Sequence, residues 1–175
     1  HAHSEDLEPA EAGKADGSVF DPENLMDDGL FVDVDFLTID DLNAFLEETP
    51  YGNRSFLADY TEYGMTFAEI IADASQRYQI NPLVLMVKVQ VESSLIARDT
   101  EGNRFVMDRA MGCGCPDDRS CDRRKLGLRA QIMCAGSVFR SYLDDMETKG
   151  RTISGWGVGV RNRTSEGTNI MPRNK

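Results

Sequence analysis

NPLVLMVKVQVESSLI, residues 81–96, is the stretch whose reading decides the fold. Asn81 is a helix N-cap and Pro82 suits the first helical position, where its missing N–H costs nothing. From there Leu83, Val84, Leu85, Met86, Val87, Val89 and Val91 fall on nearly every side of a helical wheel. A helix apolar all round is expected to be a buried one. Glu92, near its C-terminal end, then stands either at a cleft or against apolar walls. A carboxyl held against apolar walls stays protonated to higher pH and serves as a general acid. The alternative is a glutamate that turns to solvent on the last turn.

Working outward, helical periodicity and capping signals predict a mainly α-helical chain. Thr38 and Asp41 form a capping box for a helix over 39–48, with Leu37 and Leu42 as its staple. Its expected buried face is Ile39, Leu42, Phe45 and Leu46. Thr66 and Glu69 open a second helix running to about Tyr78, with Met65 placed to staple on Ile70. Apolar positions Leu128, Ile132, Ala135, Phe139, Tyr142, Leu143 and Met146 predict a long helix over 126–147. Between the glutamate helix and this one, residues 98–125 read as a loop rich in Gly, Asp, Arg and Cys. No internal repeat is present.

The 175 residues suffice for one domain with a core, and 41% of them are hydrophobic. No apolar run approaches the roughly 20 residues of a membrane span. The net charge of −11 is unevenly placed. Residues 1–48 hold 15 Asp/Glu against one Lys, and the remainder hold 15 against 18 Lys/Arg. Residues 1–20 are expected to form a disordered acidic tether, with the domain spanning 21–175. The acidic stretch 21–41 reads as a solvated entry segment, since Asp33-Val34-Asp35 lacks the glycine and glutamate of a calcium loop. The mildly basic body lacks the long basic, aromatic-interleaved stripe of a nucleic-acid binder and suits an anionic polymer such as a wall glycan. No metal is assigned to the His1-Ala2-His3 terminus, and nothing calls for a cofactor.

Four cysteines, Cys113, Cys115, Cys121 and Cys134, are spaced C-x-C-x5-C-x12-C. Structural zinc sites use paired C-x2–4-C knuckles, absent here, so two disulfides are expected. Trp156, the single tryptophan, stands between Gly155 and Gly157. Flanking glycines let a ring stand clear as a sugar-stacking platform; filling the core is the alternative. Arg119, Arg123, Arg124, Lys125 and Arg129 offer positive charge for carboxylates or phosphates of a wall polymer, or simply a solvated face.

Taken in order, INPLVLMVKVQVESSLI (80–96), AMGCGCPDD (110–118) with Cys121, GLRAQ (127–131) and TISGWGVGV (152–160) resemble the lysozyme-like superfamily. The nearest resemblance is to secreted bacterial proteins of the lytic-transglycosylase kind. DLNAFLEE and FAEIIADASQRY look like the paired helices that precede the glutamate helix there. The resemblance implies a lysozyme-like helical domain whose long, disulfide-stapled loop follows the catalytic-glutamate helix. It makes Glu92 the acid/base, puts Ser93 and Ser94 beside it, makes Met111 and Gly112 part of a cleft wall, and has Gln131 project from the next helix. It also implies Cys115 paired with Cys121, because related proteins carry a cysteine at each position, and hence Cys113 with Cys134.

The chain departs from that pattern in two places. The usual glutamine soon after methionine-glycine is replaced by MGCGCPDD, and the late aromatic–asparagine–alanine motif is absent, so the domain is expected to extend beyond Lys175. The implied activity is glycan-strand cleavage of peptidoglycan. Competing expectations are a non-catalytic wall-binding module of the same fold and a glycosidase on another glycan such as chitin. A hydrolase calls for a second carboxylate roughly 5–9.5 Å from the first, and Asp99, Asp108, Asp117 and Asp118 are on offer without a choice among them. The expected setting is secreted or cell-envelope, as a monomer.

Overall fold

A computed structural model describes residues 21–175; the expected tether at 1–20 lies outside them. Among the described residues there are six α-helices and two short hairpins. None of these helices is long and apolar enough to cross a membrane.

The helical hub follows from local chemistry. Helix α2 (Ile39–Glu47) starts at the Thr38–Asp41 capping box, with the Thr38 N–H donating to Asp41 Oδ2 at 2.8 Å and the Asp41 N–H to Thr38 Oγ1 at 3.2 Å. Its Leu42 and Leu46 are fully buried, whereas Ile39, expected on the same face, is exposed. Helix α3 (Phe67–Tyr78) opens on the reciprocal Thr66–Glu69 box. Its Phe67, Ile70, Ile71 and Ala74 are fully buried, and it packs against α2, α4 and α6. Helix α4 (Pro82–Ser93) is capped by Asn81, whose side-chain oxygen accepts the Leu83 N–H at 2.8 Å.

The expectation that α4 is buried on all sides is corrected. Val84, Leu85, Met86 and Val89 are buried, but Val87 is 49% and Val91 73% exposed. The helix is two-faced, with an apolar ridge in solvent, because composition does not tell which apolar side is covered.

Helix α6 (Leu128–Lys149) runs 22 residues and buries Leu128, Ile132 and Ala135. It crosses α3 closely at Gly136, where a Cβ would stand 2.6 Å from the Tyr78 ring. Two features were not read from sequence. The hairpin β1 (Thr61–Glu62) and β2 (Met65–Thr66) turns through Tyr63 and Gly64, both at positive φ (51° and 76°), the geometry that matches strand twist in a two-residue turn. Its Glu62 Oε2 accepts the Arg129 N–H at 2.8 Å, capping α6 from outside the helix. A second hairpin pairs β3 (Asn162–Arg163) with β4 (Asn169–Ile170).

The entry segment is docked, contrary to the solvated reading. Helix α1 (Asp28–Phe31) presents Phe31 edge-on to Phe139 of α6, ring centroids 5.7 Å apart. The buried Asn81 fixes it further, its backbone N–H donating to the Phe31 carbonyl and its side-chain amide to the Leu30 carbonyl, both at 2.8 Å. Met26, Phe31 and Leu37 pack on the core; Asp27, Asp33 and Asp35 stay exposed, while Asp28 is half-buried with one carboxyl oxygen enclosed and unpartnered. Residues 171–174 lie along this segment: the Arg173 N–H donates to the Glu23 carbonyl at 2.9 Å, and Arg173 pairs with Asp21.

Candidate functional site

Glu92 occupies the last turn of α4, its side chain 36% exposed. No apolar wall encloses the carboxyl. Lys88, one turn earlier, donates a hydrogen bond to Oε1. Oε2 faces the loop after α5 (Arg104–Met107), 3.6 Å from where a Cβ on Gly112 would stand. Gly112 is solvent-exposed with φ +66°, a conformation that favours glycine. Glu92 and Gly112 therefore stand side by side at the surface.

One disulfide, Cys113–Cys134, ties the loop to α6, and a second, Cys115–Cys121, closes a small ring within the loop. One amide completes the attachment. Gln131, fully buried, accepts the Met111 and Cys113 N–H groups at 3.1 Å each. Its Nε2 donates to the carbonyls of Cys113 at 2.7 Å and Lys125 at 2.6 Å. All four hydrogen-bonding positions of the side chain are thus filled. Gln131 is closed off from the surface; the expectation of a substrate-binding glutamine is corrected to a loop clamp. Met111 is corrected likewise, since its side chain is buried in the core and its N–H is taken by Gln131.

Ser93 is half-buried and donates to the Val89 carbonyl at 2.8 Å, so its hydroxyl is engaged within the helix. Ser94 is the exposed left-handed C-cap at φ 55°, turning the chain away beside Glu92. Trp156 neither fills the core nor stands fully clear of it. The half-buried ring lines a groove of about 700 Å³ together with Phe31, Phe139, Val84 and Val87. That groove extends along α4 to Lys88 and Val91, which bring it next to Glu92. A smaller groove of about 190 Å³, between Tyr51, Gln90 and Ile96, flanks the same Val87–Val91 ridge on the other side.

The basic run does not form one patch. Arg124 is turned onto Asp122, whose carboxyl its guanidinium holds below the usual carboxylate range, and Arg129 faces Asp73 at 3.6 Å. Of the acidic candidates, Asp108 pairs with Arg104 at 3.4 Å, while Asp99, Asp117 and Asp118 are exposed. Beside the α6 N-terminus the Tyr60 hydroxyl donates to Glu62 at 3.1 Å. Burial, with the Glu62 charge second, pushes the Tyr60 hydroxyl well above its ordinary value. Sequence reasoning did not single out Lys88. The signal was its four-residue spacing from Glu92, which places the two on one helix face.

Against known proteins, the chain matches no family model, no curated protein and no solved structure.

Proposed function

We propose that the chain cleaves the glycan strands of peptidoglycan, with Glu92 as its single acid/base, on a lysozyme-like helical domain. The observation that carries this reading is the position of Glu92. A carboxylate on the last turn of a helix faces the negative end of the helix dipole, at a cost of roughly 0.3–1 kcal/mol. Lys88 ahead of Glu92 is the weaker order for an i,i+4 pair, which returns at most about 0.2–0.5 kcal/mol. Stability therefore gives no reason for a glutamate here. Its surroundings supply one: a clamped, twice cross-linked loop at Gly112 on one side and an aromatic-lined groove on the other.

Glycan cleavage needs a proton donated to the glycosidic oxygen. A lytic mechanism asks for no second carboxylate, since the sugar's own groups complete the reaction, and none is placed opposite Glu92 by an evident contact. The disulfides fit an oxidising compartment, so we read the protein as acting outside the cytosol, as a monomer. A non-catalytic wall-binding module is the second reading, favoured by the Lys88–Glu92 pair, which engages the carboxyl.

Glu92→Gln keeps the shape and removes the transferable proton. Wall-degrading activity is expected to fall at least about 100-fold, with the thermal midpoint unchanged or raised. Unchanged activity with a lowered midpoint overturns the catalytic reading. Product mass separates lytic cleavage, one water lighter, from hydrolysis.

A further inference from the structure

Lys88 joins two features that are otherwise separate. Its ammonium holds Glu92 Oε1, and its stem lines the groove of about 700 Å³. The other charged groups on that groove have partners: Lys175 stands 3.8 Å from Glu147, and Glu23 accepts the Met171 N–H at 3.2 Å. Of the two lysines on the groove, Lys88 is the one that touches Glu92, so an anion captured by it acts directly on that carboxyl. The exposed Lys88–Glu92 contact is weak, and the lysine stem is flexible enough to swing to a new partner.

The ammonium occupies Oε1, one of the two oxygens through which Glu92 can pass a proton, and opening the pair frees both. We propose that the groove receives the carboxylate-bearing peptide of a wall glycan, and that capture of this carboxylate by Lys88 releases Glu92. The inference rests on Glu92 being the acid. The occupant follows from charge and lining together. Val84, Val87, Val91 and Trp156 offer apolar contact for short side chains, and Lys88 offers one positive charge beside the reacting strand. Lys88 is then a positioning residue that selects anionic, peptide-bearing strands over neutral ones.

The test uses soluble peptide-bearing glycan oligomers of one length, with their peptide carboxylates either free or converted to amides. Wild-type kcat/KM is expected to drop about tenfold on amidation, a size ordinary for one lost charge pair, with much of the drop in kcat. Lys88→Met is expected to cleave both substrates at similar rates, with turnover of the amidated one raised above wild type. Lys88→Arg is expected to restore the preference. Lys88→Gln and thermal midpoints guard against a folding artefact. Equal rates on both substrates for the wild type, or a tenfold preference persisting in both Lys88→Met and Lys88→Gln, overturns the latch. Glu92→Gln runs in parallel: its inactivity alongside a persisting preference removes the latch alone, whereas full activity in Glu92→Gln removes the catalytic reading and the latch with it.

Discussion

The hub of α2, α3 and α4 and the loop over residues 97–127 are held by opposite means. In the hub, Leu42, Leu46, Phe67, Ile70 and Leu85 are fully buried among one another, and each helix begins at a cap written in its own sequence. In the loop, regular structure amounts to four residues of α5 and a short 3-10 turn at Arg123–Lys125. Its shape is imposed by two disulfides and the Gln131 amide. The hub is accordingly sensitive to lost volume, and the loop to lost cross-links and hydrogen bonds. Glu92 stands on the seam: one neighbour is fixed by packing, the other by staples, so its own turn can stay solvent-facing without its surroundings losing shape.

Three substitutions sharpen that contrast. Phe67→Ala removes the largest fully buried hub side chain and is expected to cost about 3–5 kcal/mol, read by urea denaturation, with both disulfides still found by non-reducing peptide mapping. A smaller and more local effect is expected from Gln131→Leu. It keeps the volume but strands the Met111 and Cys113 amides and the Cys113 and Lys125 carbonyls, at about 1–3 kcal/mol for a buried group left without a partner. Hydrogen exchange should accelerate over residues 111–125 while α3 stays protected; uniform acceleration would mean the loop is no separate unit.

The smallest effect belongs to the exposed cap of α2. Hydrogen bonds from the Thr38 hydroxyl, and then from its backbone N–H, hold the Asp41 carboxyl below its ordinary value of 3.8. A lowered folded-state value places the stabilisation above the unfolded value and removes it as pH falls through the folded one. The stability gap between wild type and Asp41→Asn, measured by denaturation from neutral to acid pH, should be constant above about pH 5 and shrink below pH 4. A gap that widens in acid would contradict the assignment.

Much of the hub was legible because caps and periodicity are local. Thr38, Thr66 and Asn81 specify helix starts through bonds to residues two or three positions on, and the helices begin there. Coverage by distant residues was not legible. Nothing around Val87 and Val91 tells that one side of α4 is left open, and nothing within 21–41 tells that Asn81 will hold Leu30 and Phe31. The Tyr63–Gly64 turn escaped because an aromatic ahead of glycine is not among the usual hairpin signals. Gln131 was singled out as a site residue but aimed the wrong way. Its register with Leu128, Ile132 and Ala135 on one stripe was the clue, since a polar side chain on an apolar stripe must find its partners inside.

Trp156 has an optical consequence. It is the only tryptophan among the 175 residues, and its ring lines the groove that reaches Lys88. Indole emission excited selectively over the five tyrosines therefore comes from one address. Its wavelength reports the wetness of that groove, and its quenching reports whatever settles there. The protein carries its own reporter of that groove, needing no label.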